Sequence, residues 1–356
     1  MATRLGIAYH DVFLLHGTED HIESPARLRA IVRRLEETDW MPRALRAPVE
    51  AASREELEWL HDPSYVDEVR LVSQQGGGYL DLDTVATSET YRAACLAAGT
   101  SIQAVREVMS GRLDVVFCLV RPPGHHALPG RGMGFCFFNN AALAAEAAVR
   151  GGLERVAIVD WDLHHGNSTQ EMFYHRGDVL YFSVHQAYRT GGRGLFYPGT
   201  GTVDEVGVDA GYAKNINVPL PGGATGQDFL TAFDQVLLPV LDLYQPQLIV
   251  VSAGFDAHYA DPLGEMFCSV MAFHAMASRL VDAASRLCGG RMVFVLEGGY
   301  DLLATANSVE DCLRALVGED SAHTDDLPPD PMAQDQAAVH RYLDHAIAMH
   351  RERLHL

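Results

Sequence analysis

The segment RVAIVDWDLHHGN (Arg155–Asn167) decides how this chain is read. Its first half is a short apolar run rich in Val and Ile, the composition of a strand covered on both faces. Its second half switches abruptly to carboxylates and imidazoles. In an open α/β sheet, ligands collect beyond the carboxyl ends of the strands, where loops present side chains from several directions. The same switch recurs along the chain. DVVFCLV (Asp114–Val120) is followed by RPPGHHA (Arg121–Ala127), LIVVSAGF (Leu248–Phe255) by Asp256, and MVFVL (Met292–Leu296) by EGGY (Glu297–Tyr300).

Further apolar runs at Leu5–Ala8 and Val179–Val184 also read as buried strands. Ala-rich stretches at Thr90–Met109, Asn140–Arg150, Asp228–Tyr244 and Ala272–Leu287 read as helices between them. Alternation of strand and helix is the signature of an α/β fold with a parallel sheet. No internal repeat is evident. Residues 1–318 read as one catalytic domain, and 319–336 (EDSAHTDDLPPDPMAQDQ) as an exposed, acidic, Pro-containing connector. Residues 337–356 read as a C-terminal helix, packed either on the body or on another subunit.

The chain has 356 residues, enough for a large core and an enclosed pocket. Against 47 acidic residues stand 27 Lys plus Arg, a formal charge of -20. Such a field repels phosphate backbones, which argues against nucleic-acid binding and favours a lysine-rich or polyamine substrate. The six cysteines form no C-x-x-C pair and sit mostly in apolar surroundings, as buried thiols of a reducing cytosol do. The N-terminus lacks a secretory apolar region and no run is long enough to cross a membrane, so a cytoplasmic location is expected.

Asp162 and His164 are two residues apart, so an extended segment directs both side chains the same way. With Asp256 they make a set of one imidazole and two carboxylates. Three protein ligands leave an open coordination position, the mark of a catalytic zinc site. Taken singly, each piece has an ordinary explanation. Asp-x-His fits a surface turn, the paired histidines fit satisfied core groups, Asp256 fits a helix cap, and Glu-Gly-Gly fits a tight turn. Their coincidence at four strand ends is what points to a metal amidohydrolase.

RPPGHHA, MGFCFFNN (Met133–Asn140), VDWDLHHGN, SAGFDAHYADPLG (Ser252–Gly264) and LEGGYDL (Leu296–Leu302) together resemble the zinc-dependent histone deacetylase family. The likeness is greatest to its class II branch and bacterial relatives, the histone-deacetylase-like and acetylpolyamine amidohydrolases, and runs from about Leu5 to Val317. It implies an arginase-like, three-layer α/β fold around a central, mostly parallel eight-stranded sheet. By motif, Asp162, His164 and Asp256 correspond to the ligands of one zinc ion, and His125 and His126 to the tandem histidines. Tyr300 corresponds to the tyrosine that stabilises the tetrahedral intermediate. Asp160 would support His125 and Asn167 would support His126. A neutral amide partner leaves His126 less readily protonated than a carboxylate would, which suits a general base.

The resemblance further implies removal of acetyl or other acyl groups from a lysine side-chain amine, in proteins or small N-acyl amines, by attack of a metal-activated water. Gly134, Phe135 and Tyr197 match positions that line the substrate tunnel, and Asp83 a rim aspartate that holds the substrate backbone. Leu263 stands where polyamine-specific relatives carry a glutamate, which weakens the acetylpolyamine alternative. A structural potassium ion would be held around Asp160, Asp162, His164, Ser183 and Val184. The segment HGTEDHIESP (His16–Pro25) is expected at the entrance, and a homo-oligomer is open.

Two other readings are weighed. Ureohydrolases with this architecture bridge two manganese ions through Asp-x-His-x-Asp and Asp-x-Asp patterns, but here Gly166 and Gly254 occupy the positions of the extra carboxylates. A non-catalytic acyl-lysine binding module would be expected to lose a zinc ligand, a tandem histidine or Tyr300, and none is lost.

Overall fold

In the computed structural model, which describes residues 3–355, eleven strands form a nine-stranded sheet and a separate hairpin. In chain order they are β1 (Leu5–Ala8), β2 (Leu45–Arg46), β3 (Gly77–Tyr79), β4 (Val85–Thr87), β5 (Val115–Cys118), β6 (Val156–Asp160), β7 (Val179–Arg189), β8 (Arg193–Leu195), β9 (Asn215–Pro221), β10 (Leu248–Ala253) and β11 (Met292–Leu296). The sheet order is β2-β1-β5-β11-β10-β6-β7-β8, with β9 also paired to β7. Every pairing in this sheet is parallel except β7 with β8, so eight parallel strands carry one short antiparallel addition. The central strands β5, β6, β10 and β11 are buried along their whole length, as their unbroken apolar composition requires.

Helices Thr90–Met109 and Asn140–Arg150 pack together and cover one side of the sheet through β5, β6, β10 and β11. Their Ala-rich surfaces let them lie close. A second group, Pro25–Glu37, Val270–Leu287 and Leu302–Leu316, packs on itself to complete the three-layer α/β arrangement. All six cysteines are buried and unpaired. Among the described residues, no helix is long and apolar enough to cross a membrane.

The structure revises several sequence expectations. Strand β9 (NINVPLP) was not expected, because Pro219 and Pro221 argue against a strand; it lies outside β7 at the sheet edge, where a missing N–H is tolerated. The helix expected over Asp228–Tyr244 is interrupted. Gly226–Ala232 and Leu238–Tyr244 flank a π-helical turn at Phe233–Leu237, which ends two residues before Pro239, a residue with no N–H to continue the α-helical ladder.

The C-terminal helix begins at Ala333, not Ala337, and runs to Leu354. Gln336 in its first turn donates from Nε2 to the Gly223 carbonyl at 2.7 Å, which ties that turn to the body. The helix packs against β9, with His350 Nε2 2.7 Å from the Asn217 carbonyl. Nor is the acidic connector a free strap. Asp326 accepts from Tyr259 Oη at 2.7 Å and from the Val270 amide at 2.8 Å, and lies 2.9 Å from His258 Nε2. Its charge caps the Val270–Leu287 helix and so holds the segment down.

Candidate active site

The chemistry-bearing segments meet where β5, β6, β10 and β11 end. Asp162, His164 and Asp256 each direct one ligand atom to a common point, all within 4.8 Å of one another. His164 Nδ1 lies 3.1 Å from Asp256 Oδ2 and 3.3 Å from Asp162 Oδ1. Two glycines make room for the carboxylates. A Cβ at Gly254 would lie 2.0 Å from Asp162 Oδ2, and one at Gly298 would lie 2.4 Å from Asp256 Oδ2. Backbone amides fix the remaining oxygens: Leu163 N donates to Asp256 Oδ1 at 2.9 Å and Gly298 N to Asp162 Oδ2 at 2.8 Å. A nitrogen and two carboxylates clustered this tightly form a donor set suited to a single divalent ion such as zinc.

Beside this cluster stand the tandem histidines, ring centroids 4.0 Å apart. His125 Nδ1 is 3.1 Å from Asp160 Oδ2, and that oxygen also accepts from Tyr181 Oη at 3.0 Å. Burial disfavours a charged His125, but the carboxylates of Asp162 and Asp160 outweigh it and raise the group to about 10. Burial, then the proximity of His125 and His164, push His126 well below the usual imidazole range. The two rings thus lie in opposite electrostatic surroundings, His125 against carboxylates and His126 against other imidazoles. Glu297 holds the loop that carries them, accepting from Gly124 N at 2.7 Å and His125 N at 3.2 Å.

A cavity of about 290 Å³ opens above these groups. His125, His126, His164 and Tyr300 form its floor and inner wall. Burial raises the Tyr300 hydroxyl well above its ordinary pKa, so it stays a proton donor. Gly134, Phe135, Tyr197, Leu263 and Asp83 also border this cavity, so all the expected substrate-side residues converge on it. Phe135 has a left-handed backbone (φ 68), an uncommon state for a bulky residue that sets its ring edge-on to Tyr300 at 5.8 Å. The Tyr197 ring meets His126 and His164 edge-on at 5.2 and 5.9 Å. Behind the site, Asp160 and Ser183 are direct register partners on β6 and β7. Val184, next on β7, is fully buried.

Several contributors were not legible in the sequence. Phe196 stacks on His164 at 5.5 Å, and Arg189 reaches the cavity from the end of β7. Asp261 Oδ2 accepts from Tyr300 N at 2.6 Å and Asp301 N at 3.2 Å, while its Oδ1 accepts from Leu263 N at 3.0 Å. Glu23 lies between two fully buried arginines, Arg27 at 3.0 Å and Arg121 at 2.5 Å. Arg121 also donates to the carbonyls of Phe13 and His16 and to Thr18 Oγ1, pinning the His16–Pro25 segment. Arg27 donates to the carbonyls of Glu297 and Gly299, and its guanidinium lies 4.8 Å from the Tyr300 ring centroid. The i,i+4 spacing of Glu23 and Arg27 was the only local signal, and it reads equally well as a surface pair. From the pinned segment, His21 meets Phe135 edge-on at 4.7 Å.

Comparison with known proteins gives one answer. Residues 21–316 match the histone deacetylase domain model. The chain is 41% identical over 320 residues to histone deacetylase 15 of Arabidopsis thaliana, spanning 88% of this chain and 56% of that longer protein. It is 43% identical over 281 residues to a histone deacetylase-like amidohydrolase of Pseudomonas aeruginosa, spanning 79% of this chain and 72% of the relative. The crystal structure of the HDA15 HD domain superposes with a TM-score of 0.87 at 37% identity, covering 99% of this chain and 98% of that one.

Proposed function

The chain belongs to the histone deacetylase family, and from that premise we propose that it is a zinc-dependent deacylase acting on the side-chain amide of an acyl-lysine. The observation that carries this reading is the convergence of Asp162, His164 and Asp256 on one point, with His164 lining the cavity that His126 and Tyr300 also border. Zinc held by those three groups would supply a Lewis acid that polarises the acyl carbonyl and lowers the pKa of an attacking water.

The chain's own residues do the rest. His126 Nδ1–H donates to the Asn167 amide oxygen at 2.7 Å, which leaves its Nε2 lone pair free to take the water's proton. Tyr300 Oη donates to the acyl oxygen, and that bond strengthens as negative charge develops there. His126, once protonated, returns its proton to the departing amine. His125, hydrogen-bonded through Nδ1 to Asp160, assists electrostatically as negative charge accumulates. Phe135 and Tyr197 offer apolar ring surface to the aliphatic stem. Leu263 offers no charge to a second ammonium, which disfavours an acetylated polyamine. The paired Asp160 and Ser183, with the carbonyls near them, suit a structural potassium ion.

A fluorogenic acetyl-lysine peptide assayed with and without chelator tests the proposal. Chelator-sensitive hydrolysis that zinc restores supports it, and tight binding of the peptide without turnover overturns it. A panel of acetyl-lysine, longer acyl-lysines and acetylated polyamines ranks the substrates.

A further inference from the structure

Two opposite charges border the same cavity without neutralising each other. Asp83 lies on one wall, where among the described residues its only hydrogen bond is from the adjacent Thr84 Oγ1 at 3.3 Å and it makes no ion pair. Arg189 borders the cavity from the end of β7, with a side chain 62% exposed.

Arg189 is held in place, yet most of its hydrogen-bonding capacity is unspent. Its Nη1 meets Glu265 Oε1 at 3.1 Å, and its guanidinium lies 5.6 Å from the Phe196 ring centroid. Glu265 is otherwise engaged, accepting from Thr190 N at 2.7 Å, Thr190 Oγ1 at 2.8 Å and Gln186 Nε2 at 3.2 Å. The Nε and Nη2 protons of Arg189 have no protein acceptor among the described residues. A planar guanidinium fixed on one side and free on the other is a ready receptor for a carboxylate.

We infer that Arg189 is a specificity-determining residue that binds the α-carboxylate of the acylated lysine itself, while Asp83 takes the α-ammonium, so that the free amino acid Nε-acyl-lysine is a preferred substrate. The inference rests on the deacylase reading above and narrows it. A cavity of about 290 Å³ is at the small end for ligand pockets, as suits one extended side chain with its head group at the mouth. A peptide would present amides there, with no charge for Arg189 to meet. The surface of the chain, at a formal -20, otherwise repels carboxylates, so this recognition has to be local.

The test compares Nε-acetyl-lysine with its α-carboxamide, both carrying a free α-amine, on the zinc-loaded enzyme at low salt. The acid is expected to have a kcat/KM about fivefold higher, expressed in KM, the upper range for a solvent-exposed ion pair. R189Q should bring that ratio close to one, R189K should retain part of it, and added salt should compress it. Equal efficiency for acid and carboxamide in the unmodified enzyme, or a ratio that survives R189Q, overturns the inference alone. No hydrolysis of either compound while an acetyl-lysine peptide is still turned over overturns the inference and leaves the deacylase reading standing; no hydrolysis of any of the three removes both.

Discussion

His126 Nδ1 lies 2.7 Å from Asn167 Oδ1, so the imidazole facing the cavity is backed by a neutral amide, while its neighbour His125 is backed by the carboxylate of Asp160. In the proposed mechanism that asymmetry decides which ring takes the water's proton. His126 works as a base only while neutral, so kcat/KM should fall as pH drops through its pKa. Asn167→Asp places a negative charge behind the ring and should move this acid limb upward by about 1–3 pH units. A pH profile of kcat/KM checks it, and an unmoved limb removes His126 from the base role.

Tyr300→Phe removes the hydroxyl proposed to donate to the developing oxyanion and leaves Asp162, His164 and Asp256 untouched. Turnover should fall by about 10²–10³-fold with metal content unchanged. Steady-state kinetics and metal analysis of the same preparation decide. Unchanged turnover would take Tyr300 out of the mechanism.

The cluster of Asp162, His164 and Asp256 has the ligands for one ion in the proposed mechanism. Dialysis against chelator should abolish hydrolysis, zinc should restore it, and elemental analysis should find one zinc per chain. His164→Ala should lower metal occupancy and activity together. Two tightly bound ions per chain would favour the binuclear ureohydrolase arrangement instead.

Glu23 is the shared counter-charge of Arg27 and Arg121, and all three side chains are buried. The two guanidinium groups hold its carboxyl far below the usual range despite burial. Glu23→Gln leaves buried positive charge uncompensated and should cost about 3–5 kcal/mol in a urea titration. A loss under about 1 kcal/mol would show that water or a rearrangement replaces the carboxylate.

His61 should make the fold acid-sensitive. Its Nδ1 is 3.1 Å from the Leu128 carbonyl and its Nε2 accepts from Asn139 N at 3.0 Å, an arrangement that requires the neutral ring. Burial lowers it to about 4 in the folded chain, from an ordinary 6.5. As pH falls between those values the unfolded chain gains a proton that the folded one does not. Stability should therefore decline across that window by about 3 kcal/mol from this group and level off below it. His61→Gln should flatten that part of the stability curve.

The parts of the site carried by contiguous strand-end motifs were legible in the sequence. Asp162, His164 and Asp256 follow apolar runs whose burial fixes where they end, and the same holds for His125, His126 and Tyr300. Edge and rim elements were not. β9 contains prolines that a central strand would reject, and only its position beyond β7 makes them acceptable. Arg189 and Glu265 meet across 76 residues of sequence, and neither sits in a local pattern that points to the other. The buried set of Glu23, Arg27 and Arg121 reads as ordinary surface charge until tertiary packing encloses it. The connector's attachment through Asp326 likewise depends on His258 and Tyr259, distant in sequence.

Glu23 ties the two sides of the doorway into one hydrogen-bonded frame. Through Arg121 it anchors the segment that sets His21 against Phe135, and through Arg27 it anchors the strap that ends in Tyr300. The segment set against Phe135 and the strap ending in Tyr300 thus share one carboxylate brace, which favours threading through a preset opening over a flap folding across the guest. A bulky head group should then be refused at entry, weakening capture while leaving the chemical step of admitted molecules intact.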